Sequence, residues 1–225
     1  MRIVTRIVLW AVIAFLGWKL VKAINGPVEF NKVKEERYAK VIEKLKDIQS
    51  AQLAYQSLNG KFVASYDSLI QFIDTAQYAI TTRRDTSFAD RERNIAFGLD
   101  PEDGGYYLEE IIVDTIGFKS VRDSLFRGTD RYKNMMKLPY DWAPGDIKLE
   151  AGTIDRKGTK YSVFQARVAK EDILQDQDPN LVAQENLVQS VDGVNGPYIQ
   201  VGDMNEINTS GNWPEFYDSG RRKQQ

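Results

Sequence analysis

The sequence predicts an α+β protein: an N-terminal transmembrane helix, an amphipathic helix, then a mainly antiparallel sheet domain. Three observations carry this reading. Residues 1–24 are mostly apolar, with an uncharged stretch from Ile7 to Trp18. Residues 32–58 repeat apolar positions every three or four residues, the period of one helix face. The second half carries short β-branched and aromatic runs punctuated by turn residues.

The N-terminal segment from Ile3 to Ile24 reads IVTRIVLWAVIAFLGWKLVKAI. Its uncharged stretch, Ile7 to Trp18, is too short for hydrocarbon, which takes about 20 residues to cross. With Arg6 and Lys19 snorkelling to the two interfaces, the whole segment is long enough. Trp18 falls near one boundary, where interfacial aromatics sit. Residues 1–24 are therefore expected to be an uncleaved anchor. Two other readings compete. In a cleaved signal peptide, Arg2 and Arg6 are the basic region and Val21-Lys22-Ala23 the cleavage triplet, but Lys19 and Lys22 fit that region poorly. The other is a helix buried in a soluble core, which a segment apolar nearly all round and long enough to span disfavours. The basic count does not fix orientation, since Lys19, Lys22, Lys32, Lys34 and Arg37 follow the segment and only Arg2 and Arg6 lie on its N-terminal side. The export layout, a large domain after a signal-like segment, points to a single pass of the bacterial inner membrane with the soluble domain in the periplasm.

Asn25-Gly26-Pro27 is expected to break the helix, making 25–31 a linker. The soluble domain then runs over 32–205 and opens with the amphipathic helix 32–58. Tyr38, Val41, Leu45, Ile48 and Tyr55 form its apolar stripe, which packs either on its own domain or on a neighbouring subunit. Asn59-Gly60 supplies the C-cap. Tyr66–Ile73 reads as a short helix, Thr81–Glu92 as a polar loop, and Asp100–Gly105 as a turn. Strands are expected at Tyr106–Asp114, Lys148–Ile154, Lys160–Ala169 and Tyr198–Gly202, with Ser120–Phe126 a short helix or turn. The hairpin signal lies at Ile154–Gly158. Residues 206–225 read as a polar tail ending in the solvated Arg221-Arg222-Lys223. Within it, Trp213, Phe216 and Tyr217 are either a lid pinning the tail on the core or a docking patch.

Composition narrows the chemistry. The chain has 225 residues, no Cys and no His. Disulfides, thiolate chemistry, Ser-His-Asp catalysis and His-based zinc sites are therefore excluded. A net charge of −2, from 30 basic and 32 acidic residues, gives no drive toward nucleic acid. Asp176, Asp178 and Asn180 space oxygen ligands as D-x-D-x-N, the opening of a calcium loop. Leu181 then stands where an EF-hand needs Gly, and Leu187 where it needs Glu, so a turn with capping carboxylates competes. Glu109 and Glu110 are adjacent in a strand and point to opposite faces, so they cannot share one site. No catalytic set and no cofactor are expected.

The run from Leu45 to Ile73, LKDIQSAQLAYQSLNGKFVASYDSLIQFI, carries Ala51, Tyr55, Asn59, Gly60, Phe62 and Leu69 in an order similar to one known family. It resembles the end of the long first helix of type IV pilins and type II secretion pseudopilins. The resemblance implies a membrane helix continued by an amphipathic helix that packs on an antiparallel sheet. It also implies protein subunits of a secretion or pilus-like apparatus as partners. No basic leader ending in Gly precedes Ile7 and no Glu lies in the apolar segment, so layout rather than polymerisation is what carries over. From Lys148 onward the chain resembles single-pass envelope proteins of gram-negative bacteria.

Overall fold

The computed structural model describes residues 2–100, 104–139, 143, 145–218. The middle of the expected Asp100–Gly105 turn and the Arg221-Arg222-Lys223 terminus lie outside the described residues. The chain forms two compact units, Met1–Gln71 with Asp130–Gln225, and Phe72–Thr129.

The first unit is organised by one helix, α1, Arg2–Asn59. The expected break and linker at 25–31 do not occur, because α1 runs straight through Pro27. Two physical reasons account for the difference. Proline removes a single N–H from the ladder, a local loss in a helix of 58 residues. Proline also disfavours helix in the residue before it, partly through that residue's Cβ. Here that residue is Gly26, which has no Cβ and stands in open space.

The N-terminal part of α1 is long and apolar enough to cross a membrane. Its described side chains from Ile3 to Val21 are all exposed. The C-terminal part turns the same helix into core. Tyr38, Val41, Ile42, Leu45, Ile48, Ala51 and Ala54 are buried at the expected three- and four-residue steps. Gln52, also buried, offers its amide to the backbone of Val63, accepting from Val63 N at 3.1 Å and donating to Val63 O. That clamp folds the chain back just after Gly60, whose φ of 72° caps the helix.

α1 packs on a three-stranded antiparallel sheet. Its strands are β3 (Lys148–Arg156), β4 (Thr159–Ala169) and β5 (Tyr198–Gly202), in the order β3-β4-β5. Lys157 and Gly158, at φ 55° and 82°, make the two-residue β3–β4 turn between paired Arg156 and Thr159. Positive φ at both positions is the type I′ geometry that suits strand twist. The Asp155 carboxylate steadies the turn by accepting from Gly158 N at 2.9 Å. Central β4 buries Val163, Phe164, Ala166 and Val168, and the Phe164 ring stacks at 4.6 Å on Phe62.

The described part of the expected polar tail, up to Asp218, is bonded to α1 at Thr209, Tyr217 and Asp218. The Lys46 ammonium donates to Tyr217 O and Asp218, and the Trp213 indole donates to the same Asp218 carboxylate at 3.0 Å.

The second unit is an antiparallel ribbon of β1 (Gln77–Ala89) and β2 (Tyr107–Ser120). Its boundary with the first falls inside α2 (Tyr66–Thr75). The expected loop at Thr81–Glu92 is a strand over most of its length, and the expected strand at Tyr106–Asp114 extends to Ser120. At the ribbon's end, α3 (Arg91–Phe97) is capped by Asp90, and buried Asn94 both donates to and accepts from the backbone of Tyr106. At its base, Ser120 caps α4 (Val121–Phe126), and Val121 N donates to Ala76 O at 3.0 Å.

Candidate functional site

In the first unit Lys170 carries a charged side chain that is fully buried. It opens α5 (Lys170–Ile173) immediately after β4, so the buried strand carries its side chain inward. The ammonium has three N–H donors, and three acceptors meet it: Val194 O at 2.7 Å, Glu185 O at 2.8 Å and Glu185 Oε1 at 3.2 Å. Glu185 comes from α6 (Pro179–Asn186) and is itself buried. Its Oε1 also accepts from the Tyr38 hydroxyl at 3.4 Å, and its Oε2 from Lys34 at 3.0 Å, both from α1.

Electrostatics follow from that burial. Desolvation lowers the Lys170 pKa, against the opposing pull of Glu185. Desolvation, followed by the Glu185 charge, raises the Tyr38 pKa well beyond its usual range, so the phenol keeps its proton and donates. An amine with every donor bound and no exposure is not presented to a substrate. Its geometry ties α1, α5 and α6 together.

The expected calcium ligands are placed for other work. Asp178 is the N-cap of α6, accepting from Asn180 N at 2.8 Å, with Pro179 at the first helical position. Asp176 meets Arg37 of α1 in a two-pronged pair, with Nη2 at 2.8 Å from Oδ2. Among the described residues, no group of three or more His, Cys, Asp or Glu is placed to hold a metal ion. The turn with capping carboxylates is the arrangement seen.

The Arg37 hydrogen bonds hold the Asp176 carboxyl down to about 2. A depressed folded-state pKa contributes stability that is present above the ordinary carboxylate value and lost as pH falls through the folded value. The pair is partly exposed, so its worth is about 0.5–1 kcal/mol. In urea titrations, the gap between the native chain and Asp176→Asn is expected to stay constant above about pH 5. It should close as pH approaches 2. A gap that widens on acidification would contradict the assignment.

The stripe proposed for a neighbouring subunit is also otherwise engaged. Tyr38, Val41, Leu45 and Ile48 are buried within their own unit, and only Tyr55 stays partly exposed. The helix–sheet core has first claim on an apolar stripe of this width, so the interface expectation is corrected for those four residues. A hollow lined by Asn25, Val28, Glu29, Lys32, Val33 and Glu36 is formed by α1 alone and encloses nothing.

The second unit shows the opposite behaviour. Leu108, Ile111, Val113, Ile116 and Phe118 of β2 are each more than half exposed, and so are Phe88, Ile95 and Phe97. Glu109 and Glu110 pair with Ser87 and Thr86, one on each face of the ribbon. Isolated exposed apolar residues are ordinary, whereas β2 carries them along its length, with Leu108 on one face and Ile111 and Val113 on the other.

No family model, curated protein or solved structure matches the chain.

Proposed function

We propose that the chain is a membrane-anchored structural or accessory subunit of a bacterial envelope assembly, of the secretion or pilus-like kind, with its soluble units in the periplasm. The observation that carries this reading is the continuity of α1. One helix begins as an exposed apolar segment and ends as the buried spine of an antiparallel sheet unit. That layout resembles the pilin arrangement more closely than an interrupted helix would. The exposed ribbon supports the same reading, since it offers protein-contact area rather than a cleft.

Crosslinking in intact membranes, followed by purification in mild detergent, tests it. The full-length chain is expected in the membrane fraction and crosslinked to other envelope proteins. Recovery of a chain that begins after Ala23, partition into the aqueous fraction without detergent, or an absence of heterologous crosslinks would overturn it.

A further inference from the structure

The geometry points to a second membrane contact: the loop that follows α6 rests on the bilayer surface, with Leu187 and Val191 inserted among the lipid headgroups. The inference rests on the reading of α1 as a transmembrane anchor and adds a surface to it.

α1 bonds the rest of its unit in order along its axis. Gln49 donates to Thr209 O at 2.6 Å, Lys46 to Tyr217 O at 2.8 Å and Lys44 to Asn134 O at 2.7 Å. Nearer the apolar segment, Arg37 donates to Ile173 O at 2.9 Å and Lys34 to Glu185 of α6 at 3.0 Å. α6 and the chain that leaves it therefore lie at the end of the unit that faces the apolar segment. Phe30, one turn nearer still, is only 6% exposed. A lone helix does not bury a phenyl ring that far, so folded chain flanks α1 at this level too. Phe30 stands about 9 Å of helical rise beyond Ile24. The headgroup layer outside the hydrocarbon core is about 5–8 Å deep on each side. This end of the unit is thus within a side chain's length of lipid, and helix side chains, which lean toward the N-terminus, draw it closer.

The loop presents apolar side chains there. Its polar groups are engaged behind them. Glu185 O and Val194 O accept from the buried Lys170 ammonium, Gly196 N donates to Val188 O at 3.2 Å, and Ser190 N donates to Asn195 Oδ1 at 2.8 Å. Leu187 and Val191 are left outward, exposed by 81% and 94%. No other described large apolar side chain of the first unit after Val28 exceeds 57%. Asp192 is the one charged residue in 187–198, so little charge is desolvated at an interface. Where α1 leaves the apolar segment, Lys19, Lys22 and Lys32 stand against the one carboxylate of Glu29, a balance that attracts anionic lipid. The narrow gap also selects the occupant. Lipid headgroups fit it, whereas a folded protein does not, since even one helix is about 10 Å across.

The chain has no cysteine, so a single introduced thiol can carry a fluorophore. Full-length Leu187→Cys and Val191→Cys are labelled and reconstituted in phosphatidylcholine–phosphatidylglycerol vesicles that contain lipid spin-labelled at the headgroup. Ile207→Cys is the control, because its neighbour Thr209 bonds α1 at Gln49. That level is about 22 Å farther along α1 than Lys34, so both loop labels should be quenched at least about threefold more strongly than the control. Leu16→Cys, within the apolar segment, reports the anchor itself through lipid spin-labelled in the acyl chain. Quenching of Leu16→Cys with loop labels no more quenched than Ile207→Cys leaves the anchor standing and overturns the inference. An unquenched Leu16→Cys overturns both.

Discussion

Replacing Lys170 with Met is expected to destabilise the first unit by about 3–5 kcal/mol, the range for removing one member of a buried ion pair. The Met side chain fills similar volume, so cavity formation is a minor part. The loss comes from Val194 O, which loses that donor, and from Glu185 Oε1 and the Glu185 carbonyl, which lose their buried cation and keep only the longer bonds from Tyr38 and Val188 N. For a chain of this size the drop in Tm is roughly 10 °C. The double variant Lys170→Met/Glu185→Leu should cost at least about 1 kcal/mol less than the sum of the two single variants, because one partner no longer leaves the other stranded. Thermal unfolding of all three variants in the same detergent measures both effects. Strict additivity would mean that Lys170 and Glu185 act separately.

Gly202→Ala is the second large effect. Gly202 ends β5 at φ 75°, and a Cβ there would stand 2.2 Å from the carbonyl oxygen of Phe164. The obstructing atom belongs to the backbone of the central strand, so relief requires moving β4 or breaking the Gln165↔Gly202 pairing. The left-handed backbone adds about 1–2 kcal/mol for any L side chain, and strain from the contact brings the expected cost to at least about 3 kcal/mol. Gly158→Ala is the matched control. It also sits at positive φ, 82°, but nothing lies within 4 Å of its Cβ position. It should cost about 1–2 kcal/mol. Urea midpoints for the two variants separate the shared conformational penalty from the clash. Equal midpoints would remove the clash from the account.

Elements with a buried face were legible in the sequence. The 38, 41, 45, 48 spacing located the core half of α1, and the turn at Lys157-Gly158 located the β3–β4 hairpin within a residue or two. β1 was not legible for the same physical reason. A ribbon exposed on both sides has no inward face, so no apolar alternation marks Thr81–Ala89, and its polarity reads as loop. Pro27 misled because the penalty of proline depends on its neighbour, and Gly26 relieves part of it. The Lys170 cluster assembles from Lys34, Tyr38, Lys170 and Glu185, which share no spacing in sequence. A local hint existed, a lone Lys between the apolar run of β4 and Ile173-Leu174, but only the fold supplies its partners.

The uninterrupted passage of α1 from its apolar end into the sheet unit leaves no slack at the join. Only five residues separate Ile24 from Phe30, the first buried residue of the core, a helical rise of about 9 Å. With the apolar segment seated in a bilayer, the unit cannot swivel as a domain on a string does. It must ride as a lever arm. From Ile24 to Asn59 that arm extends about 52 Å, so a 10° change in inclination sweeps its far end through roughly 9 Å. In a bilayer, hydrophobic mismatch, one of the influences on the inclination of such segments, would then be felt as a change in the elevation of the sheet unit.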